Sequence, residues 1–406
     1  MTYQFPEGFW WGTATAAHQV EGGNVYNDNW LMEHVPESRF KEVSGDAVDH
    51  YHRYPDDLRL LKELGFNMYR FSLEWSRIEP EEGEFSRAAL EHYRRMLAAC
   101  HENGLTPMVT YHHFTSPRWL MRYGGWEGEK TPELFARFCE RAARHLGDLT
   151  GAACTLNEIN LPTMFGLLFG GGGGQAPDPA TVAAAQALNV PPQQFKPVLQ
   201  SNRRAVMLDA HRRAMEAIKS GPGDYPVGIT LALTEVHAVE GGEERAAEID
   251  RALNTVYLEA LRGDDFVGVQ TYSRFWVGPE GMMRAPEGAE LTQMGYEFWP
   301  EALEATIRLA ARVAQIPVIV TENGVATADD TRRVEFIQRA VAGVARCLQD
   351  GVDVRGYTYW SAFDNFEWMS GYDMTFGLIG VDRETQVRTV KPSARVLGAM
   401  ARANAV

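Results

Sequence analysis

Along the chain, short runs of consecutive apolar, β-prone residues alternate with longer stretches whose apolar positions recur every three to four residues. Strand-like runs begin near Phe9, Phe66, Leu105, Gly151, Tyr225, Asp265, Pro317 and Val354. Helical periodicity follows most of them, over about residues 55–64, 86–103, 131–147, 198–220, 244–262, 299–314, 331–349 and 392–404. Thr131-Pro132-Glu133 offers a cap, a first-turn proline and an acidic residue in order, and Gly221-Pro222-Gly223 stops the helix before it. The Leu, Val and Met stripes of 198–220 and 331–349 read as core-facing, and Arg203-Arg204 and Arg212-Arg213 as solvated faces. Eight strand-helix units with no repeat and no linker predict one (β/α)₈ barrel domain over 1–406 rather than a doubly wound sheet. Uneven spacing places long loops at the C-terminal mouth. The longest, about 160–197, holds Gly170 to Gly174, without GxGxxG spacing or a following Lys-Ser/Thr, so it reads as a mobile rim loop rather than a phosphate cradle.

Composition narrows the partners. The 406 residues are 45% hydrophobic and 23% charged, enough to bury a large core. A formal charge of −15 repels nucleic acid and anionic membranes. No apolar stretch has the length of a membrane span, and no Lys or Arg precedes Arg39 to make a signal n-region, so a cytoplasmic enzyme is expected. Cys100, Cys139, Cys154 and Cys347 lie far apart and read as buried free thiols. A homo-oligomer is compatible with a chain of this size.

The chemistry concentrates in two glutamates. Glu158 ends Ala152-Ala153-Cys154-Thr155-Leu156-Asn157-Glu158, and Glu322 ends Pro317-Val318-Ile319-Val320-Thr321-Glu322. Carboxylates so distant in the chain meet only where a fold gathers its strand ends, as the mouth of a parallel barrel does. Paired there, one ionised and one protonated, they can cleave a glycosidic bond by double displacement. Asn157 suits a sugar 2-hydroxyl. Arg70, a charge inside Phe66-Asn67-Met68-Tyr69-Arg70-Phe71, needs an anionic partner, and a nucleophilic carboxylate is one. Singly, each carboxylate reads as a structural ion-pair member; the pair, each on its own strand end, reverses that reading. His113 alone would be an interior histidine, as its neighbour His112 is expected to be, and His50 with His52 forms an HxH pair too poorly supported to be a metal site. Trp10, Trp11, Trp30 and Trp126 read mainly as packing.

With these motifs in place, the chain resembles the family 1 glycoside hydrolases, the retaining β-glucosidase and β-galactosidase-like barrels. The likeness runs from Phe5-Pro6-Glu7-Gly8-Phe9 to Lys391-Pro392-Ser393-Ala394. It includes Phe9-Trp10-Trp11-Gly12-Thr13-Ala14 through His18-Gln19-Val20-Glu21-Gly22, Tyr69-Arg70-Phe71-Ser72, Thr155-Leu156-Asn157-Glu158, Thr321-Glu322-Asn323-Gly324 and Trp360-Ser361-Ala362 through Glu367-Trp368. The resemblance implies Glu322 as nucleophile and Glu158 as acid/base. It implies Gln19, His113, Asn157, Glu367 and Trp368 as holders of the sugar hydroxyls, Trp360 as the sugar's floor, and Arg70 and Tyr272 as supports of the nucleophile. It implies no metal and no cofactor, and small β-glycosides or short oligosaccharides as substrates, with Glu367 disfavouring sugar phosphates. The aglycone falls to the loops around 160–197 and 273–297.

Three positions depart from the family pattern: Ile159 where Pro is usual, Gln270 in place of Asn, and Thr115 where an acid is common. Neither carboxylate is lost. The expected activity is exo-hydrolysis of terminal neutral β-D-glycosides, chiefly glucosides, with galactosides and fucosides within reach. A transglycosylase sharing the first chemical step and a non-catalytic sugar-binding barrel are the alternatives.

Overall fold

The computed structural model describes residues 3–169 and 176–406, so the Gly170 to Gly174 run lies outside the described residues. Eight parallel strands close into a barrel: β1 (Trp10–Ala14), β2 (Met68–Ser72), β3 (Thr106–His112), β4 (Ala152–Leu156), β5 (Val227–Ala232), β6 (Val267–Gln270), β7 (Val318–Glu322) and β8 (Val354–Trp360). Neighbours in sequence are neighbours in the barrel, and β1 closes onto β8 from Trp10 opposite Gly356 to Ala14 opposite Trp360. Each strand starts within about two residues of its predicted position because consecutive apolar residues have nowhere else to go once both faces are covered.

The lumen is layered. Met68, Met108, Ala152, Cys154, Phe266 and Ile319 pack an apolar plug towards the strand starts. Further up, Arg70, Thr110, Thr230 and Thr321 are all buried, so the interior becomes polar as it nears the mouth. Gly268 is needed at this level: a Cβ there would stand 2.6 Å from Thr230 Cγ2 and 2.8 Å from Thr321 Oγ1. The larger core lies outside the barrel, between strands and helices, and holds Trp11, Trp75 and Trp126 fully buried.

Several helix boundaries differ from expectation. The helix expected from Pro55 begins at His50 and carries Pro55 inside it, with His50 Nδ1 2.8 Å from Asp57 Oδ2 across two turns. Thr131 does not cap its helix (Thr131–Leu146): Lys130 takes that place and the threonine hydroxyl donates to the Gly125 carbonyl at 2.5 Å. The 198–220 stretch is helical only over Arg204–Lys219, with a separate 3₁₀ turn at Val198–Gln200. The 244–262 stretch contains a π turn, Arg251–Thr255, between Glu243–Asp250 and Val256–Ala260. Periodicity locates a helix but does not see a loop tightening into one turn. All four cysteines are buried and free. No helix among the described residues is long and apolar enough to cross a membrane.

Candidate active site

The polar upper layer of the barrel assembles around Glu322. Arg70 on β2 is fully buried and donates through Nη1 to Glu322 Oε1 at 2.6 Å, through Nη2 to Asn157 Oδ1 at 2.6 Å, and through Nε to Thr110 Oγ1 at 3.0 Å. Tyr272, just past β6, donates to the other carboxylate oxygen, Oε2, at 2.6 Å. Asn157 Oδ1 also accepts from Thr230 Oγ1 at 2.9 Å. Strand ends from β2 to β7 therefore form one connected network, in which Arg70 and Tyr272 bond the Glu322 carboxylate while Thr110 and Thr230 hold Arg70 and Asn157 in place.

Gln270 was read from the sequence only as a departure, and it has a defined place here. Its Nε2 donates to Glu322 Oε1 at 2.9 Å and to Asn157 Oδ1 at 3.0 Å. Reversing the amide would set its oxygen against two acceptors, which fixes its orientation. The extra methylene lets the amide reach Glu322. Nothing in the local pattern signals this, since reach depends on the distance between β6 and β7.

Glu158 is held quite differently. Its backbone lies in the left-handed region at φ 51°, unusual outside glycine and a form of strain found at functional sites. Its N–H donates to the Thr230 carbonyl at 3.0 Å, but no hydrogen bond reaches its carboxyl group among the described residues. Burial, and next the charge of Glu322, push the Glu158 carboxyl well above the ordinary range. Burial also raises Glu322, but Arg70 and the Tyr272 hydroxyl oppose it, so a proton shared by the pair resides on Glu158. Ile159, the residue that stands in place of the expected Pro, is buried in the core. Thr115, where an acid is common, donates its hydroxyl to Glu74 Oε2 at 2.9 Å, so the acid arrives from the β2 connection instead.

The expected sugar-holding residues line the same mouth. Gln19 Nε2 donates to the Phe366 carbonyl at 2.8 Å and to Glu367 Oε2 at 3.2 Å. His113 Nε2 accepts from Asn157 Nδ2 at 3.2 Å, and burial followed by the Arg70 charge holds this imidazole well below its usual pKa, hence neutral. Its proton then sits on Nδ1, which has no partner. Gln19 Oε1 and Gln270 Oε1 are likewise buried without partners. Three unpaired polar atoms around one carboxylate pair are what a polyhydroxylated ligand would satisfy. Trp360 is buried, with its ring 5.7 Å from that of His113, and Trp368 stacks on His18 at 5.8 Å. Burial, and next the charge of Glu322, raise Glu367 to about 8.

His50 and His52 do not converge. His50 lies between Asp57 and the Tyr69 hydroxyl, while exposed His52 faces Asp49. Among the described residues no three His, Cys, Asp or Glu side chains are grouped to hold a metal ion. His112 bonds Ser116 Oγ and packs on Trp126, an interior role as expected.

The model of glycosyl hydrolase family 1 matches residues 1–268 and 278–406. The chain belongs to that family. The family's β-glucosidase A from Acetivibrio thermocellus is 30% identical, with 96% of each chain covered. A bifunctional β-D-glucosidase/β-D-fucosidase from Bifidobacterium breve is also 30% identical, with 97% of each covered. Among family 1 structures, the β-glycosidase BGL167 superposes with a TM-score of 0.95 at 59% identity, covering 98% of this chain and 97% of that one. A β-glucosidase from Thermotoga maritima in complex with glucoimidazole superposes with a TM-score of 0.85 at 27% identity, covering 99% of each.

Proposed function

We propose that this family 1 enzyme removes terminal neutral β-D-glycosyl residues, chiefly glucosyl, with retention of anomeric configuration. The carrying observation is the unequal treatment of two buried carboxyls on facing strand ends. Glu322, ionised and oriented by Arg70, Tyr272 and Gln270, attacks the anomeric carbon. Glu158, kept protonated by burial, gives its proton to the departing oxygen. The resulting glycosyl ester on Glu322 is opened by water, which loses a proton to Glu158 as its oxygen bonds the anomeric carbon. Asn157 is positioned by Arg70, Thr230 and Gln270 so that its remaining contacts serve the 2-hydroxyl. His113 Nδ1–H and Gln19 supply partners for the hydroxyls beyond it, Trp360 supports the ring, and Trp368 with Glu367 closes the far side.

Neutral sugars are favoured because Arg70 is already committed to Glu322 and Asn157, so a sugar phosphate would face the ionised Glu322 and the Glu367 carboxyl without a free cation there among the described residues. The relative that acts as both glucosidase and fucosidase supports a pocket tolerant at the sugar's far end.

The test is a panel of aryl β-D-glycosides (glucoside, galactoside, fucoside, mannoside, xyloside, 6-phosphoglucoside) with wild type and Glu322→Ala. Wild type turns over one or more neutral sugars and the variant none. Added azide restores the variant's turnover as an α-glycosyl azide. A β-configured azide, or turnover confined to the 6-phosphoglucoside, would sink the assignment.

A further inference from the structure

Ten large hydrophobic side chains are markedly exposed among the described residues: Val25, Tyr26, Val43, Leu167, Leu168, Met283, Leu291, Tyr296, Met369 and Val387. All ten lie in connections that leave the C-terminal ends of barrel strands, namely those after β1, β4, β6 and β8. None lies on an outer helix or on the opposite face. Exposed apolar surface scattered at random needs no explanation, but confinement to the catalytic end does.

This apolar material is continuous with the sugar pocket. Phe114 packs against Trp368 at 5.3 Å and His113 at 4.8 Å, and Met369, 58% exposed, follows Trp368 directly. Met294 packs against the cluster that contains Trp360. Tyr296, 37% exposed, is near enough to Glu367 and Glu158 that their charges, after burial, help raise its phenol to about 12. Its place is fixed by the next residue, since Glu297 takes two hydrogen bonds from Arg274, at 2.9 and 2.8 Å. The helix Leu161–Phe169, which begins just after Glu158, is apolar on two sides. Met164 packs inwards beside Phe275 and Val236, while Leu167 and Leu168 are exposed.

A leaving group must depart from beside Glu158 towards this rim. A second sugar there would need unspent hydrogen-bonding groups, yet the Asn160 amide and the Gln293 amide oxygen are already committed. Asn160 bonds the Ala232 N–H and the Ala232 and Leu253 carbonyls, and Gln293 Oε1 takes both the N–H and the hydroxyl of Thr375. Resting on the glycosidase reading above, we infer that the aglycone is an apolar alkyl or aryl group, bound along Phe114, Met294, Tyr296 and Met369, rather than another sugar.

The test compares kcat/KM of the full chain on methyl β-glucoside, hexyl β-glucoside and cellobiose, with para-nitrophenyl β-glucoside measured alongside. Methyl and hexyl leaving groups have similar basicity, so their ratio reads aglycone contact. Each buried methylene contributes about fourfold, and partial cover of the hexyl chain predicts at least about tenfold in favour of hexyl. Cellobiose falls below hexyl glucoside. Tyr296→Ser combined with Met369→Ser brings the hexyl-to-methyl ratio close to unity, a change that mere loss of folded enzyme would not produce. Equal hexyl and methyl values, or cellobiose ahead of both, would overturn the inference while the para-nitrophenyl activity stands. Absence of that activity removes the underlying reading and this inference with it. A flat ratio together with a drop in sedimentation mass for the double variant would assign the rim to contact between two copies, and also overturn it.

Discussion

The two strand ends that carry the carboxyls differ in almost every respect except their sequence pattern. At the end of β7, Glu322 accepts from Arg70 and Gln270 on one oxygen and from Tyr272 on the other. Beyond the end of β4, Glu158 is buried with a strained backbone and no donor to its carboxyl among the described residues. Burial alone would raise both. Donors supplied to one and withheld from the other separate their protonation states, and on the proposed reading that separation suits Glu322 to attack and Glu158 to act as the acid.

The most severe way to break this contrast is to remove the acid. Glu158→Ala should cost roughly 10²–10⁴-fold in turnover of glycosides with poor leaving groups and far less with good ones. Equal losses across a leaving-group series would argue against its role. The variant should also lose the alkaline limb of the pH profile, because wild-type activity falls as pH rises through the raised pKa of Glu158. Next, Arg70→Met leaves Glu322 buried without its cation; breaking such a pair by removing one partner costs about 3–5 kcal/mol of stability, and kcat/KM should fall further than in Tyr272→Phe. The acid limb of kcat/KM should move to higher pH, since Glu322 must be ionised and its carboxylate has lost its main stabiliser. An unmoved acid limb in a folded variant would place another group on that limb.

Tyr272→Phe removes one charge-assisted donor and should cost about 10- to 100-fold, with a smaller shift of the acid limb in the same direction. Gln270→Leu should cost about tenfold in kcat/KM, as expected for a group that orients Glu322 through Nε2 and leaves Oε1 open to a sugar hydroxyl. Gln270→Asn, too short to span to Glu322 from this backbone, tests the importance of reach. Wild-type rates from the asparagine variant would show that the extra methylene does nothing.

The smallest effect concerns stability. Glu367 has a folded-state pKa raised to about 8, above that of an unfolded glutamate, so it favours folding when protonated. That contribution is complete below the unfolded pKa and is lost as pH rises towards about 8. Glu367→Gln should therefore flatten the decline of Tm between pH 5 and pH 8 by a few degrees while impairing sugar binding. A decline as steep as wild type would mean that other groups set it.

Much of this was legible in the chain. The eight strands appear as largely apolar runs because both barrel faces are covered, and Arg70, a charge inside one of them, announced an anionic partner because a lone buried cation is untenable. Glu158 and Glu322 showed themselves as carboxylates closing such runs. Gln270 was legible only as an irregularity, and its contact with Glu322 depends on a span between neighbouring strands that no local pattern encodes. Thr115 looked like a lost acid until Glu74 was found beside it, from a different connection.

By itself, then, the sequence determined the barrel, the positions of its strands and the residue types at its mouth, because burial and periodicity are local properties of a chain. Only the tertiary structure decided which donors reach Glu322 and spare Glu158, which amide reaches Glu322, and that the exposed apolar side chains among the described residues gather at one end. Those outcomes depend on distances and dielectric surroundings shared among strands far apart in sequence, and such quantities exist only once the barrel has closed.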